Sequence, residues 1–216
     1  NINYIRNSVK AIVNAYSGDI NLYISEPNDP IIQAWQKIYP ELFQPISDMP
    51  DSLRDHLQVP TNLFDVQIKQ LLRFHVTDPR TFYNGDDFWQ VPMELYGNKQ
   101  VPVVPYHVTA QLRPNEKSEF LLLQPLSPIA RPNLSAWLAA RSDGENYGEI
   151  VLLRFPSETT VLGPEQIQAL INQDPIISQQ FSLWDRAGSE VIQGNLLVIP
   201  LGNALLYVEP VYLKAS

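Results

Sequence analysis

The chain contains no cysteine, which removes disulfide frameworks, thiolate zinc sites and thiol nucleophiles from consideration. Histidine is scarce. The three present, His56, His75 and His107, include no pair four residues apart, the spacing that turns two imidazoles toward one metal on a helix. Basic residues are outnumbered, 15 Lys and Arg against 23 Asp and Glu, giving a formal net charge of -8. A surface of that sign is not built to neutralise phosphates, so nucleic acid is excluded as the expected partner and anionic lipid heads are disfavoured. Long apolar runs are missing as well. The longest, Leu196 to Leu201 and Ala204 to Val208, fall far short of the roughly 18 residues a membrane span needs, so direct membrane insertion of this segment is not expected. There is no Gly-x-Ser-x-Gly elbow, Ser-x-x-Lys pair, Walker loop or dinucleotide fingerprint, and no cofactor is implied.

What remains is a chain of 216 residues, 44% of them hydrophobic, long enough to bury a sizeable core. The expected organisation is one domain over 1–216, with Pro-rich connections near 40–60 and 86–100. The chain opens at Asn1 directly on an amphipathic pattern, and it reads as a piece of something longer.

Apolar spacing from Tyr4 to Tyr16 predicts a helix, and Ile20 to Ile24 alternates as a strand. Asp-Pro pairs at Asp29-Pro30, Asp78-Pro79 and Asp174-Pro175 predict helix starts, because the carboxylate caps free amides and Pro gives up no needed donor. Thr61 to His75 is a helix by its stripe, capped by Thr61 or Asn62. Turns are expected at 84–87, 96–99, 113–117, Gly194 and Gly202-Asn203. The strand within Val101 to Leu112 belongs at a sheet edge or begins near Tyr106, since Pro102 and Pro105 cannot donate to a ladder; with Phe120 to Leu123 it makes a hairpin. Asn133 to Ala140 is expected as a helix, Ile150 to Phe155 as a strand, Pro164 to Ile171 and Pro175 to Trp184 as helices. Strands at 191–192, 196–200 and 205–208 close the chain. The fold class is α+β, a mixed or largely antiparallel sheet with helices packed on it.

The densest polar cluster is Arg141-Ser142-Asp143-Gly144-Glu145-Asn146-Tyr147-Gly148. Its carboxylates and amide suit a hard cation, but the spacing is not that of an EF-hand. A solvated loop, with Gly144 left-handed and Arg141 paired to Asp143 or Glu145, accounts for the same residues. Arg141, Asp143, Glu145, Asn146 and Tyr147 are the candidate binding residues, with no metal assigned and no catalytic residue identified. Trp35, Trp137 and Trp184 fall on predicted helix faces and read as core, whereas Trp89, beside Asp86-Asp87 in a turn, reads as an anchor facing a partner. His75 reads as a helix-end or core histidine, and Ser189 in Ala187-Gly188-Ser189-Glu190 as part of a helix end.

Several strings carry a resemblance. Asn3-Tyr4-Ile5-Arg6-Asn7-Ser8-Val9-Lys10, Asp29-Pro30-Ile31-Ile32 with Trp35, Ala139 to Gly148, Asn172-Gln173-Asp174-Pro175 through Ser178-Gln179-Gln180, Gly194 to Pro200 and Leu206 to Pro210 resemble the uncharacterised protein family (UPF) 0182, large bacterial multi-pass membrane proteins. The resemblance implies that this chain is part of the family's soluble region, on the extracytoplasmic side of the cell membrane. It brings no activity or catalytic residue. Two readings follow: a binding or assembly module whose partners are the remainder of its own membrane-embedded chain or another protein; or a hydrolase or metal-dependent enzyme with a site near 141–148. A pocket that gathers Asp143 and Glu145 with His75 or His107 would favour the second.

Overall fold

A computed structural model describes residues 3–113, 116–156, 158–186, 188–202 and 204–215. The turn expected at 113–117, the one at Gly202-Asn203 and the segment at Ala187 each include residues outside that set. The chain forms two compact units, 1–64 and 65–216.

In the first unit, Val9–Val13 (β1) pairs antiparallel with Ile20–Ile24 (β2), Val9 opposite Ile24. This corrects the helix expected over Tyr4 to Tyr16. β-Branched residues at Val9, Ile12 and Val13 favour a strand. The turn that follows is held by the Asn14 side chain, which accepts the amides of Tyr16 and Ser17, and by Gly18 at φ 78°. The helix Pro30–Ile38 (α1) starts where expected, with the Asp29 carboxylate accepting from the Ile31 amide at 3.0 Å. Asp29 also accepts from the hydroxyls of Ser8 and Tyr4. These bonds, Ser8 first, hold its carboxyl below the usual range. In the Pro-dense stretch, Phe43–Pro45 (β3) lies parallel to β2, and the short helix Asp51–Arg54 (α2) follows a 3-10 turn. Thr61–Phe74 (α3), within which the two units meet in sequence, starts on the Pro60 carbonyl, which accepts from Leu63 and Phe64. Thr61 is therefore the first helical residue and not the cap.

The second unit continues with Pro79–Asn84 (α4), capped by Asp78 and closed by left-handed Gly85. Four strands follow: Trp89–Gln90 (β4), Met93–Tyr96 (β5), Lys99–Pro102 (β6) and Tyr106–Ala110 (β7). Glu119–Pro128 (β8), Ala136–Arg141 (β9) and Ile150–Arg154 (β10) come next. β10, β9 and β8 run antiparallel in that order, and β7 and β4 share the far side of β8, β7 opposite 119–123 and β4 opposite Ser127 and Pro128. β7 is thus the edge strand beginning at Tyr106 that the prolines required.

β9 corrects the helix expected over Asn133 to Ala140. A strand covered on both faces loses its alternation and becomes a short apolar run, which periodicity alone does not distinguish from a buried helix. Trp137, Leu138, Ala139 and Ala140 are all buried, as are Leu121, Leu122 and Leu123 on β8.

The helices Pro164–Gln173 (α5) and Pro175–Trp184 (α6) have the expected bounds within a few residues. Ser189–Gln193 (β11), Leu197–Leu201 (β12) and Ala204–Val208 (β13) match the expected closing strands. A further strand, Val211–Ala215 (β14), was not foreseen and pairs with β11. Trp137 packs with Leu134, Leu196 and Val198 in a core that also takes in Ile167 and Ile171 of α5 and Tyr207 of β13. Trp35 and Trp184, expected in the core, are instead 48% and 41% exposed.

Buried polar side chains tie α5 and β5 to their neighbours. The Gln168 amide bonds both backbone groups of Leu95, accepting from its N–H at 2.6 Å and donating to its carbonyl at 2.8 Å. It also donates to Glu209, which accepts from Gln193 as well. Fully buried Glu94 accepts from Asn195 and from the Leu196 amide, each at 2.7 Å, and burial pushes its carboxyl above the usual range. At the start of α5, a Cβ on Gly163 would stand 1.9 Å from the Pro132 carbonyl oxygen, so only glycine permits this approach to the 131–133 segment.

Candidate functional site

The candidate binding residues named from sequence do not come together. Arg141 pairs with Leu121 near the start of β8, whereas Trp89 pairs with Pro128 at its end. Along an extended strand that separation is about 23 Å.

At the first end the polar groups are spent on one another. Arg141 makes a two-pronged contact to Glu119, its Nε donating to Oε2 at 2.7 Å, and a third bond at 2.7 Å to Glu149. The expected pairing of Arg141 with Asp143 or Glu145 is therefore corrected to Glu119 and Glu149, both across a strand pair and outside the 141–148 string. The Arg141 bond holds the Glu119 carboxyl below its usual range, and Glu119 in turn raises the guanidinium. Asp143 accepts from the Phe120 amide at 2.9 Å, and Gly144 is left-handed as foreseen. Asn146 lies with Gly144 and Glu145 in a 3-10 turn that Tyr147 closes, its N–H bonding the Gly144 carbonyl. Glu145 points to solvent with no side-chain partner among the described residues. Ser189 donates to the carbonyls of Trp184 and Arg186 and finishes α6, and His107, on the edge strand, stacks on Phe120. No group of three or more His, Asp or Glu suited to a metal occurs among the described residues.

The other end of β8 opens into a cleft of about 770 Å³, inside the range that admits small-molecule ligands. It is formed by the end of α3, the cap of α4, β4, the turn after β8 and the end of β10. Asp87 follows α4 with a left-handed backbone, φ 61°, and Ala130 after β8 has φ 60°; they are the two non-glycine residues with positive φ among those described. For alanine that conformation costs about 1 kcal/mol.

His75, the helix-end histidine, bonds the Leu71 carbonyl through Nδ1 at 2.8 Å and the Asp87 carbonyl through Nε2 at 2.9 Å. It thereby ties α3 to the strained residue. Its ring stacks on Trp89 with centroids 3.6 Å apart, and the Arg154 guanidinium lies 5.2 Å from the Trp89 ring. Trp89 is 8% exposed, which corrects its reading as an anchor facing outward: it is part of the cleft's inner wall.

Other charged groups around the cleft have different standing. Asp78 accepts from the Thr81 amide and hydroxyl and from the Arg80 amide, which lower its carboxyl. The side chains of Asp86, Asp87, Arg131 and Asn133 line the cleft with no hydrogen bond or ion pair among the described residues. Sequence reasoning passed over Asp86 and Asp87 as an ordinary exposed turn, and gave Arg131, Asn133 and Arg154 no role. The available signal was weak: an indole between two acids and a strand.

An α+β chain of mostly antiparallel sheets, with a polar cleft at the end of β8, is the class these features define. The profile of the uncharacterised protein family (UPF0182) matches residues 1–184, and the chain belongs to that family. It is 75% identical over 214 residues to a UPF0182 protein of Prochlorococcus marinus strain MIT 9313, covering 99% of this chain and 22% of that protein. Identity is 71% over 212 residues to a UPF0182 protein of Synechococcus sp. strain CC9311, covering 98% of this chain and 23% of the relative. A more distant UPF0182 protein, from Nostoc sp. strain PCC 7120, is 55% identical over 215 residues, covering 100% of this chain and 22% of its own length. The chain thus spans less than a quarter of the curated relatives it matches. No solved structure matches it.

Proposed function

We propose that this chain is a binding and assembly module on the extracytoplasmic side of a larger multi-pass membrane protein, and that the cleft beside Trp89 is its ligand site. The observation that carries the binding role is the cleft itself, where Asp86, Asp87 and Arg131 have no partner among the described residues and lie beside a wall held by His75, Trp89 and Arg154. Leaving such groups unpaired brings no stability to the fold, and strain at Asp87 and Ala130 adds a cost that a ligand site accounts for. A module is favoured over a hydrolase because Asp143 and Glu145 do not line the cleft that His75 enters. Assembly with the remainder of the protein is supported by α1, whose Ile31, Trp35, Ile38 and Tyr39 form one exposed apolar stripe. No helix among the described residues is long and apolar enough to cross a membrane. Placement outside the membrane is tested by Glu145→Cys in the full-length protein, at an exposed position in a segment free of native cysteine. A membrane-impermeant maleimide added to intact cells labels that site, above the level of the parent protein, if the module is extracytoplasmic. Labelling that appears only after lysis refutes that placement.

A further inference from the structure

We infer that His75 is a proton-operated clasp on the cleft: with both ring nitrogens protonated it holds the 85–89 backbone to α3, and loss of one proton releases that side of the opening. This rests on the reading of the cleft as a ligand site and adds how access to it is regulated. Nδ1 of His75 lies 2.8 Å from the Leu71 carbonyl oxygen, and Nε2 lies 2.9 Å from that of Asp87. A carbonyl oxygen only accepts, and a neutral imidazole carries a single N–H. Both contacts are hydrogen bonds together only when the ring is imidazolium.

The ring's immediate contacts suit a cation. His75 directly follows α3, where the last carbonyls of the helix lack amide partners of their own and carry the negative end of its dipole. Its centroid is 3.6 Å from that of the Trp89 ring, on the π face. Among the charged groups lining the cleft, Asp78 at the α4 cap and Asp86 and Asp87 after α4 favour the bound proton. Arg131 after β8 and Arg154 on β10, the latter set against the Trp89 ring, oppose it. So does Arg73 on α3, which lies against the Phe88 ring.

Which tie a neutral ring gives up follows from the backbone. The Leu71 contact lies within one helical turn, and the same carbonyl accepts from the His75 amide, so a proton on Nδ1 keeps it. Nε2 then faces the Asp87 oxygen lone pair to lone pair. Asp87 stands at φ 61°, a left-handed conformation that L side chains rarely adopt, and its loop is the part that moves. Gly85, Asp86 and Phe88 line the cleft with it, so that movement alters the opening. The proton is bound in the clasped state, and the clasp is therefore held at the acid end of the histidine range and let go as pH rises.

The test is amide hydrogen exchange of the isotope-labelled chain at about pH 5 and about pH 8, each rate divided by that of an unstructured peptide of the same sequence at the same pH. Loss of one charge-assisted bond predicts exchange at 85–89 faster by about tenfold or more at the alkaline end, with β8 and β9 unchanged. His75→Phe keeps a ring on Trp89 but has no ring N–H, so its 85–89 amides should exchange fast at both pH values with no step between them. Equal rates in the parent chain, or a step that persists in His75→Phe, overturns the clasp. Ring nitrogen spectra of the histidine-labelled parent chain give a check that needs no variant: the His75 ring and the Phe88 amide, which adjoins the Asp87 carbonyl, should titrate with one midpoint, and separate midpoints overturn the coupling. Amide shifts on the same sample with phosphate, citrate, glycine betaine and maltotriose read the cleft separately. No shift there with any of the four overturns the ligand site while a pH step upholds the clasp; cleft shifts without a pH step uphold the site and overturn the clasp.

Discussion

Strand β8 ends in two clusters of charge that use it in opposite ways. Around Arg141, the guanidinium is closed by Glu119 and Glu149, and Asp143 is closed by a backbone amide. Around Trp89, Arg131, Asp86 and Asp87 stand open beside a backbone that is strained at two residues. Density of polar residues in sequence marked the first cluster; what separates a structural cluster from a binding one is whether the groups have already satisfied each other. A closed network stabilises the fold and has little left to offer a ligand, whereas an open one, its charges solvated at exposed positions, adds little to the fold and stays available to a ligand.

The largest effect expected from breaking this contrast lies behind the cleft. Gly163→Ala drives a methyl group into the Pro132 carbonyl, a backbone atom that cannot swing aside, so α5 or the 131–133 segment must move. A loss of about 3 kcal/mol or more in urea unfolding is expected, with the cleft residues disturbed first. A loss below about 1 kcal/mol would show that the close approach is not maintained in solution.

Next in size is Arg141→Ala, which leaves the largely buried Glu119 without its donor. The expected loss is about 2 kcal/mol at neutral pH. The pH dependence carries its own signature. Glu119 has its carboxyl lowered in the fold, so the stability it contributes is present above the ordinary glutamate range and disappears as pH falls through the lowered value. Arg141→Ala should remove that part of the acid slope, and its unfolding free energy should converge on that of the parent at low pH. A constant difference across the acid range would show that the pair is not the source.

Much of the framework was legible before the coordinates. The three Asp-Pro starts were readable because the cap is a local device, complete within three residues. The hairpin of β7 and β8 was readable because prolines exclude a central position. Two helices were misassigned for one reason: Val9 to Val13 and Ala136 to Arg141 are short, mostly apolar runs whose period does not choose between helix and strand, and the choice was made by the strands they pair with, Ile20 to Ile24 in one case and both neighbours in the sheet in the other. The cleft was not legible at all. Its residues come from 75–89, 128–135 and 154–159, and nothing in any one of those stretches says which polar groups the fold will leave unpaired.

The most direct measurement places the two clusters side by side in one urea series, comparing Arg131→Ala with Arg141→Ala. With no partner among the described residues to lose, exposed Arg131→Ala should lie within about 0.5 kcal/mol of the parent chain, while Arg141→Ala falls well below it. If Arg131→Ala costs as much stability as Arg141→Ala, the cleft arginine is part of the scaffold, and the division between a closed cluster and an open one is wrong.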